Sequence, residues 1–206
     1  LLDEIVSQGS GEVAAAAARA ISNYSDQLPV DRIIELFDVT ANQDVRAALL
    51  LALGEIGDPG AFEFLADLAE DPGEPMILRQ YAVDSLGKLH VSEAVPIIRD
   101  LLGAENSLLR AYAVSALGRF ENEAAREGLI SALRDEFWRV RVFALQGIAR
   151  LEVTEAIPAV LYKVRSDPEE RVRLEAVKTL EAFSTERVRE FTQETVADSG
   201  APLATR

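Results

Sequence analysis

Along residues 109–120, LRAYAVSALGRF, apolar and small residues recur with helical spacing. Leu109, Ala113, Ala116 and Leu117 stand at i, i+4, i+7 and i+8, which places them on one face of a helix. Closely similar segments stand thirty-one residues upstream, LRQYAVDSLGKL (78–89), and thirty-one downstream, VRVFALQGIARL (140–151). Extended along the chain, the pattern gives six ten-residue copies: VAAAAARAIS (13–22), VRAALLLALG (45–54), LRQYAVDSLG (78–87), LRAYAVSALG (109–118), VRVFALQGIA (140–149) and VRLEAVKTLE (172–181). They begin 32, 33, 31, 31 and 32 residues apart. A period in this range marks a stacked array of repeats rather than a chain of independent domains.

Glycine closes three copies, at Gly54, Gly87 and Gly118, which predicts a left-handed helix end and a tight turn there. A second helix is expected after each first one, with its start marked by a capping residue: Asp58 before Pro59, Ser92, Asn122, Thr154 and Thr185. Apolar faces follow through Phe62, Leu65 and Leu68, through Val95, Ile98 and Leu102, and through Ile157, Val160 and Val164. Each unit is thus a helical hairpin with one apolar face, which only a neighbouring hairpin can cover. No stretch alternates at period two for long enough to predict a strand. The expected fold is an all-α solenoid.

These motifs resemble HEAT repeats, in particular the short HEAT-like repeats of the phycobilin-lyase type. The resemblance is carried by Val/Leu-Arg, then small-residue and Leu-Gly positions, then a Gly-Asp-Pro or Ser/Thr-Glu-Ala turn. GEIGDPGAFEFLADLAED (54–71) is the nearest match, and the similarity covers about residues 10–198. It implies a right-handed α-α superhelix of about six hairpins in a single domain, 1–198. The expected units are about 10–41, 42–74, 75–105, 106–136, 137–168 and 169–198. Residues 1–9 read as the end of a preceding unit of a longer array, and 199–206 as a flexible tail. The last unit, with Glu181 in place of Gly and polar Thr192, Gln193 and Thr195, suits a terminal cap.

Composition narrows the function classes. Acids outnumber bases 35 to 21, a net charge of −14, which argues against nucleic acid or an anionic membrane surface as the partner. The surplus is uneven: residues 1–103 hold 18 acids and 6 bases, and 104–206 hold 17 and 15. Without cysteine there is no disulfide or thiolate chemistry. No apolar run reaches the ~18 residues needed to span a bilayer. The compartment expected is the cytoplasm, with the periplasm also compatible because the chain begins at Leu1 rather than Met.

Five copies carry arginine at their second position: Arg46, Arg79, Arg110, Arg141 and Arg173. They read as a structural ladder, each guanidinium bonding a carboxylate or helix-end carbonyl of the preceding unit, with Asp71, Asp135 and Asp167 nearby in sequence. The resemblance to HEAT repeats implies the same use. Tyr81, Tyr112 and Phe143 share the fourth position, either as packing between first helices or as an aromatic strip for a ligand. Trp138, at the turn into the fifth copy, is a candidate binding anchor or a lid over a repeat junction. The only histidine, His90, reads as a solvent-facing turn residue; no metal site, no cofactor and no catalytic set are expected.

In HEAT-type solenoids the second helices line the concave surface. If that carries over, Glu35, Asp38, Asp67, Glu70 and Asp100 make the groove acidic at its N-terminal end, and Arg134, Tyr162 and Arg165 make it neutral or basic at the other. The function expected is a non-enzymatic scaffold binding another protein, one with a basic segment, on this face; the oligomeric state is left open. The alternative implied by the resemblance is a lyase-type subunit assisting bilin attachment, with Tyr81, Tyr112, Phe143 and Trp138 as pigment contacts. Hydroxylation by His-Glu metal sites and duplex-DNA glycosylase activity, also found in HEAT-like proteins, do not suit one histidine followed by Val91 and a net charge of −14.

Overall fold

The structure is a computed structural model that describes residues 29–184 together with Ala16, Ala20, Glu186 and Val188. Residues 1–9, the first copy apart from its two alanines, Thr185, the polar positions Thr192, Gln193 and Thr195, and the tail 199–206 lie outside the described residues. Among the described residues there are ten α-helices and no strand. They are α1 Val30–Val39, α2 Gln43–Ile56, α3 Phe62–Glu70, α4 Met76–Leu89 and α5 Ala94–Asp100, then α6 Ser107–Leu117, α7 Glu123–Ala132, α8 Trp138–Arg150, α9 Ile157–Ser166 and α10 Glu170–Glu181. The repeated copies fall on the even-numbered helices, the first helices of the hairpins. Odd-numbered helices form a second layer, and each first helix packs against the first helix of the next hairpin. The fold is an α-solenoid.

The core follows the repeat. Its first position is buried at Val45, Leu78, Leu109, Val140 and Val172, and its fifth at Leu49, Ala82, Ala113, Ala144 and Ala176. From the second helices come Leu65, Leu68, Val95, Ile98, Leu129, Ile157 and Val160, so one apolar cluster runs from Val30 to Phe183. Each fully buried Leu, Ile or Val contributes about 1.5–3 kcal/mol, the main favourable term holding the stack together. A smaller device acts at the eighth position, where Ser85 Oγ donates to the Leu50 carbonyl at 2.7 Å, and Thr179 Oγ1 shares its proton between the Glu175 carbonyl at 2.9 Å and the Leu145 carbonyl at 3.2 Å.

Glycine plays a different part from the one its position suggested. Gly54 and Gly87 lie inside α2 and α4, and Gly118 keeps a right-handed φ of −61°. Left-handed ends occur instead at Gly57 (φ 71°) and at His90 (φ 54°), an exposed turn residue. The three glycines are where neighbouring first helices touch. A Cβ on Gly87 would stand 2.8 Å from the Cβ and 2.9 Å from the Cα of Ala116. On Gly118 it would meet the Cα of Gly147 at 3.0 Å. Close backbone approach, not turn geometry, requires the missing side chain.

Capping is likewise redistributed. Asp58 accepts from the Gly60 amide at 2.8 Å and Asn122 from the Ala125 amide at 2.9 Å. Ser92 and Thr154 do not cap; their hydroxyls bond the adjacent Glu93 and Glu155 carboxylates instead. Asn42 and Asn106 cap first helices, α2 and α6.

The arginine ladder ties turns together, but its carboxylates come from the following turn rather than the preceding unit. Arg110 donates to the carbonyls of Ala104 and Glu105 before its own helix, at 2.9 and 3.0 Å, and grips Asp135 through two bonds at 2.7 and 3.0 Å. Arg141 repeats this on the Asp135 and Glu136 carbonyls and on Asp167, at 2.9 and 2.8 Å to the carboxylate. Arg173 takes the carbonyls of Asp167 and Pro168, Arg79 that of Ala69, and Arg46 the Glu74 carboxylate at 3.1 Å. The reason is polarity. The second residue of a first helix faces the C-terminal end of the second helix before it, where only carbonyls are free. An acid must therefore come from the next turn along the stack.

Burial pushes the Asp135 and Asp167 carboxyls up, but bonds from Arg110 to the first, and from Arg141 and Lys163 to the second, outweigh it. Both are held below the usual carboxylate range. A depressed folded-state pKa contributes stability above the unfolded value of about 3.9, which is lost as pH falls through the folded value. Urea midpoints are therefore expected to fall below about pH 4. Asp135→Asn should lower the midpoint at pH 7 and make the acid loss shallower; an unchanged acid profile would rule out this source.

Candidate functional site

One flank of each first helix is left over after the core and the glycine contacts are satisfied. It holds the residue just before the copy and the third, fourth and seventh positions: Ile77, Tyr81 and Asp84 on α4; Leu108, Tyr112 and Ser115 on α6; Arg139, Val142 and Phe143 on α8; and Arg171 and Leu174 on α10. Ile77, Leu108 and Leu174 are 40%, 37% and 57% exposed, and Val142 and Phe143 on the intervening α8 are half-buried, so apolar groups reach water along four consecutive units. Tyr81 and Tyr112 meet edge to face with ring centroids 6.5 Å apart. They pack against each other and keep an open side.

Between α6 and α8 this flank sinks into a depression of about 410 Å³, lined by Leu108, Tyr112, Trp138, Val142 and Phe143 with Asp84 and Arg139 among its polar groups. Asp84 is already neutralised: Arg119 Nη2 lies 2.8 Å and Lys88 Nζ 3.1 Å from its carboxylate. Lys88 also reaches Glu55 at 2.6 Å. Burial alone would lower the Lys88 pKa, but bonds to Glu55 and Asp84 raise it, so the ammonium stays charged. Burial, with Tyr81 and Asp84 nearby, pushes the Tyr112 phenol up and keeps it neutral.

Trp138 opens α8 at the rim of the depression, half-buried. Two guanidiniums stand over its ring, Arg139 at 5.3 Å and Arg171 at 4.8 Å from the centroid. Among the described residues the one carboxylate contact of Arg171 is a long one to Glu169, 3.9 Å. Exposed Arg139 has no carboxylate partner among the described residues.

Glu35, Asp38, Asp67, Glu70, Asp100, Arg134, Tyr162 and Arg165 are all exposed on the second-helix layer or at its helix ends. Glu35 pairs with Arg32 along α1, and Tyr162 is 59% exposed. The depression lies on the other layer. The sequence pointed to Tyr112, Phe143 and Trp138 in it but not to Leu108, Asp84, Arg139 and Val142, nor to Arg171 over the Trp138 ring. The available signal was the position before each copy, where Ile77 and Leu108 are apolar beyond what the core consumes.

The fold and this surface define a helical-repeat protein without a strand or barrel component among its described residues. HEAT repeats match residues 1–77, 74–135 and 126–204, and the chain belongs to the HEAT-repeat family. It is similar to the CpcE–CpcF complex of phycocyanin lyase from Nostoc sp. PCC7120, with TM-score 0.64 and 22% identity over 79% of this chain and 67% of that one. It also resembles a designed armadillo repeat protein in complex with the peptide (KR)4, with TM-score 0.53 and 20% identity over 89% and 98%. An engineered protein aligns at TM-score 0.53 and 18% identity over 88% and 96%. At these identities the likeness is one of fold. A search of curated proteins finds no match. Among the described residues no helix is long and apolar enough to cross a membrane.

Proposed function

We propose that the chain is a non-enzymatic scaffold that binds another protein along its first-helix layer. The observation that carries this reading is the exposed apolar flank, which crosses four units and deepens into the depression beside Trp138. Contiguous exposed apolar surface rimmed by polar groups marks an interaction site.

The spacing of the two layers supports the choice of face. First helices meet at backbone distance through Gly54, Gly87 and Gly118, whereas second helices make far sparser contact with one another. A stack of hairpins that is closer along one layer bends toward it, so we infer that the first helices line the inner surface, the face such arrays offer to partners. The acidic residues Glu35, Asp38, Asp67, Glu70 and Asp100 then lie on the outer face. There they serve solubility, or they form a secondary contact for a basic segment.

Affinity capture from a lysate of the source organism, at low and moderate salt and read by mass spectrometry, tests the assignment. Leu108→Asp with Tyr112→Ser is expected to lose the captured protein by tenfold or more, on the order expected for a central anchor. Asp67→Lys, Glu70→Lys and Asp100→Lys together should retain it at moderate salt. The reverse result would move binding to the second helices. The lyase alternative has a separate signature: a bilin mixed with the chain would show a shifted, intensified visible band.

A further inference from the structure

The polar groups around the depression are not equivalent. Asp84, Lys88, Arg119 and Glu55 form a closed set in which each charge has an opposite partner within 3.1 Å. The ladder arginines Arg110 and Arg141 are likewise consumed by Asp135 and Asp167. Arg139 and Arg171 stand apart from both sets. They are exposed, they converge on one indole at 5.3 and 4.8 Å, and the nearest carboxylate contact of either is 3.9 Å long. In a chain with a net charge of −14, two such guanidiniums beside an apolar depression are a local source of positive charge.

Resting on the scaffold reading above, we infer that the Trp138 end of the depression takes a partner segment with a large aliphatic or aromatic side chain next to acidic residues. The apolar side chain enters between Leu108, Tyr112, Val142 and Phe143, and the carboxylate bridges Arg139 and Arg171. Guanidiniums suit this pairing because their planar forks bond carboxylates through two parallel N–H donors. Stacking on Trp138 pre-orders both side chains, which reduces the entropy lost on binding. A basic segment is disfavoured at this end, since it would bring cations to two arginines that have no close carboxylate partner among the described residues. Asp84 and Glu55, on the same layer, are bound to Lys88 and Arg119.

The test is a selection of random dodecapeptides on the immobilised full chain at low salt, followed by affinity measurement of the enriched peptides. The expected enrichment pairs Leu, Phe or Trp with Asp or Glu. Arg139→Glu with Arg171→Glu should weaken those peptides by about tenfold or more, an effect that shrinks as salt is added. Both arginines are exposed, so circular dichroism should report an unchanged fold. Enriched peptides that are basic or uncharged, or that ignore the arginine reversal yet are lost in Leu108→Asp, would overturn this inference and leave the scaffold reading standing. Peptides indifferent to both sets of substitutions would overturn the two together. A selection that enriches nothing would overturn the inference, since a short segment would then be insufficient.

Discussion

Asp167→Ala is expected to destabilise the protein by about 3–5 kcal/mol, the largest loss from any single charged residue described here. The carboxylate is 3% exposed and is held from four sides: Arg141 Nε at 2.9 Å, Arg141 Nη2 at 2.8 Å, Lys163 Nζ at 3.0 Å and the Glu169 amide at 3.1 Å. Its removal leaves the Arg141 guanidinium, itself 6% exposed, with only the Asp135 and Glu136 carbonyls. An uncompensated buried cation costs far more than the pair was worth, so the loss reflects what remains rather than what was deleted. The double variant Arg141→Met, Asp167→Leu should recover a good part of it, whereas Arg171→Ala, which breaks an exposed ion pair and an exposed cation–π contact with Trp138, should cost only about 1 kcal/mol. Urea unfolding of the three variants measures this directly. A double variant no better than Asp167→Ala would show that the ion pair itself, rather than relief of a stranded charge, supports the junction.

Gly87→Val is expected to cost about 3 kcal/mol, although valine is the better helix former. Two effects oppose each other. Replacing a mid-helix glycine gains up to about 1 kcal/mol in backbone entropy. Against it, the new Cβ would lie 2.8 and 2.9 Å from the Cβ and Cα of Ala116, so the α6 backbone must move. Backbone displacement in a filled core typically costs about 1–3 kcal/mol, and the two extra methyl groups of valine add to it. Gly87→Ala should lose less, and Ala116→Gly should restore part of that loss, since it removes the Cβ that the new one meets at 2.8 Å. A double-mutant cycle reads the coupling. Stabilisation by Gly87→Ala would mean that α4 and α6 can separate freely, and the inner-layer argument would lose its main support.

The fold was legible because its signals are local and repeated. A 3.6-residue period is written into each helix, and a copy every 31–33 residues shows that one hairpin is being restated. Val45, Leu78, Leu109, Val140 and Val172 could be assigned to the core from position alone, and all are buried. Capping was legible only in part. Asn and Asp act as caps wherever the turn places them, so Asp58 and Asn122 could be read off, while Ser92 and Thr154 lie next to glutamates that take their hydroxyls.

The candidate site was harder to read because it is assembled from residues about thirty apart. Arg139 and Arg171 share Trp138 only because α8 and α10 are stacked side by side. Asp84 is silent as a charge because Arg119, from the next unit, joins Lys88 on it. Second-helix acids stood out in sequence as a regular drift of sign, yet a drift says nothing about which layer the array bends toward.

The sequence by itself determined the helices, their hairpin pairing, the repeat and the apolar positions, since these depend on periodicity within ten to thirty residues. Only the tertiary structure decided that the glycines are contact points rather than turn closers, that the ladder arginines draw their acids from the following turn, and that the open apolar surface lies along the first helices. Each of these depends on how one hairpin sits on the next. That seating is set by side-chain volumes and backbone approach across the junction, quantities that no single repeat contains.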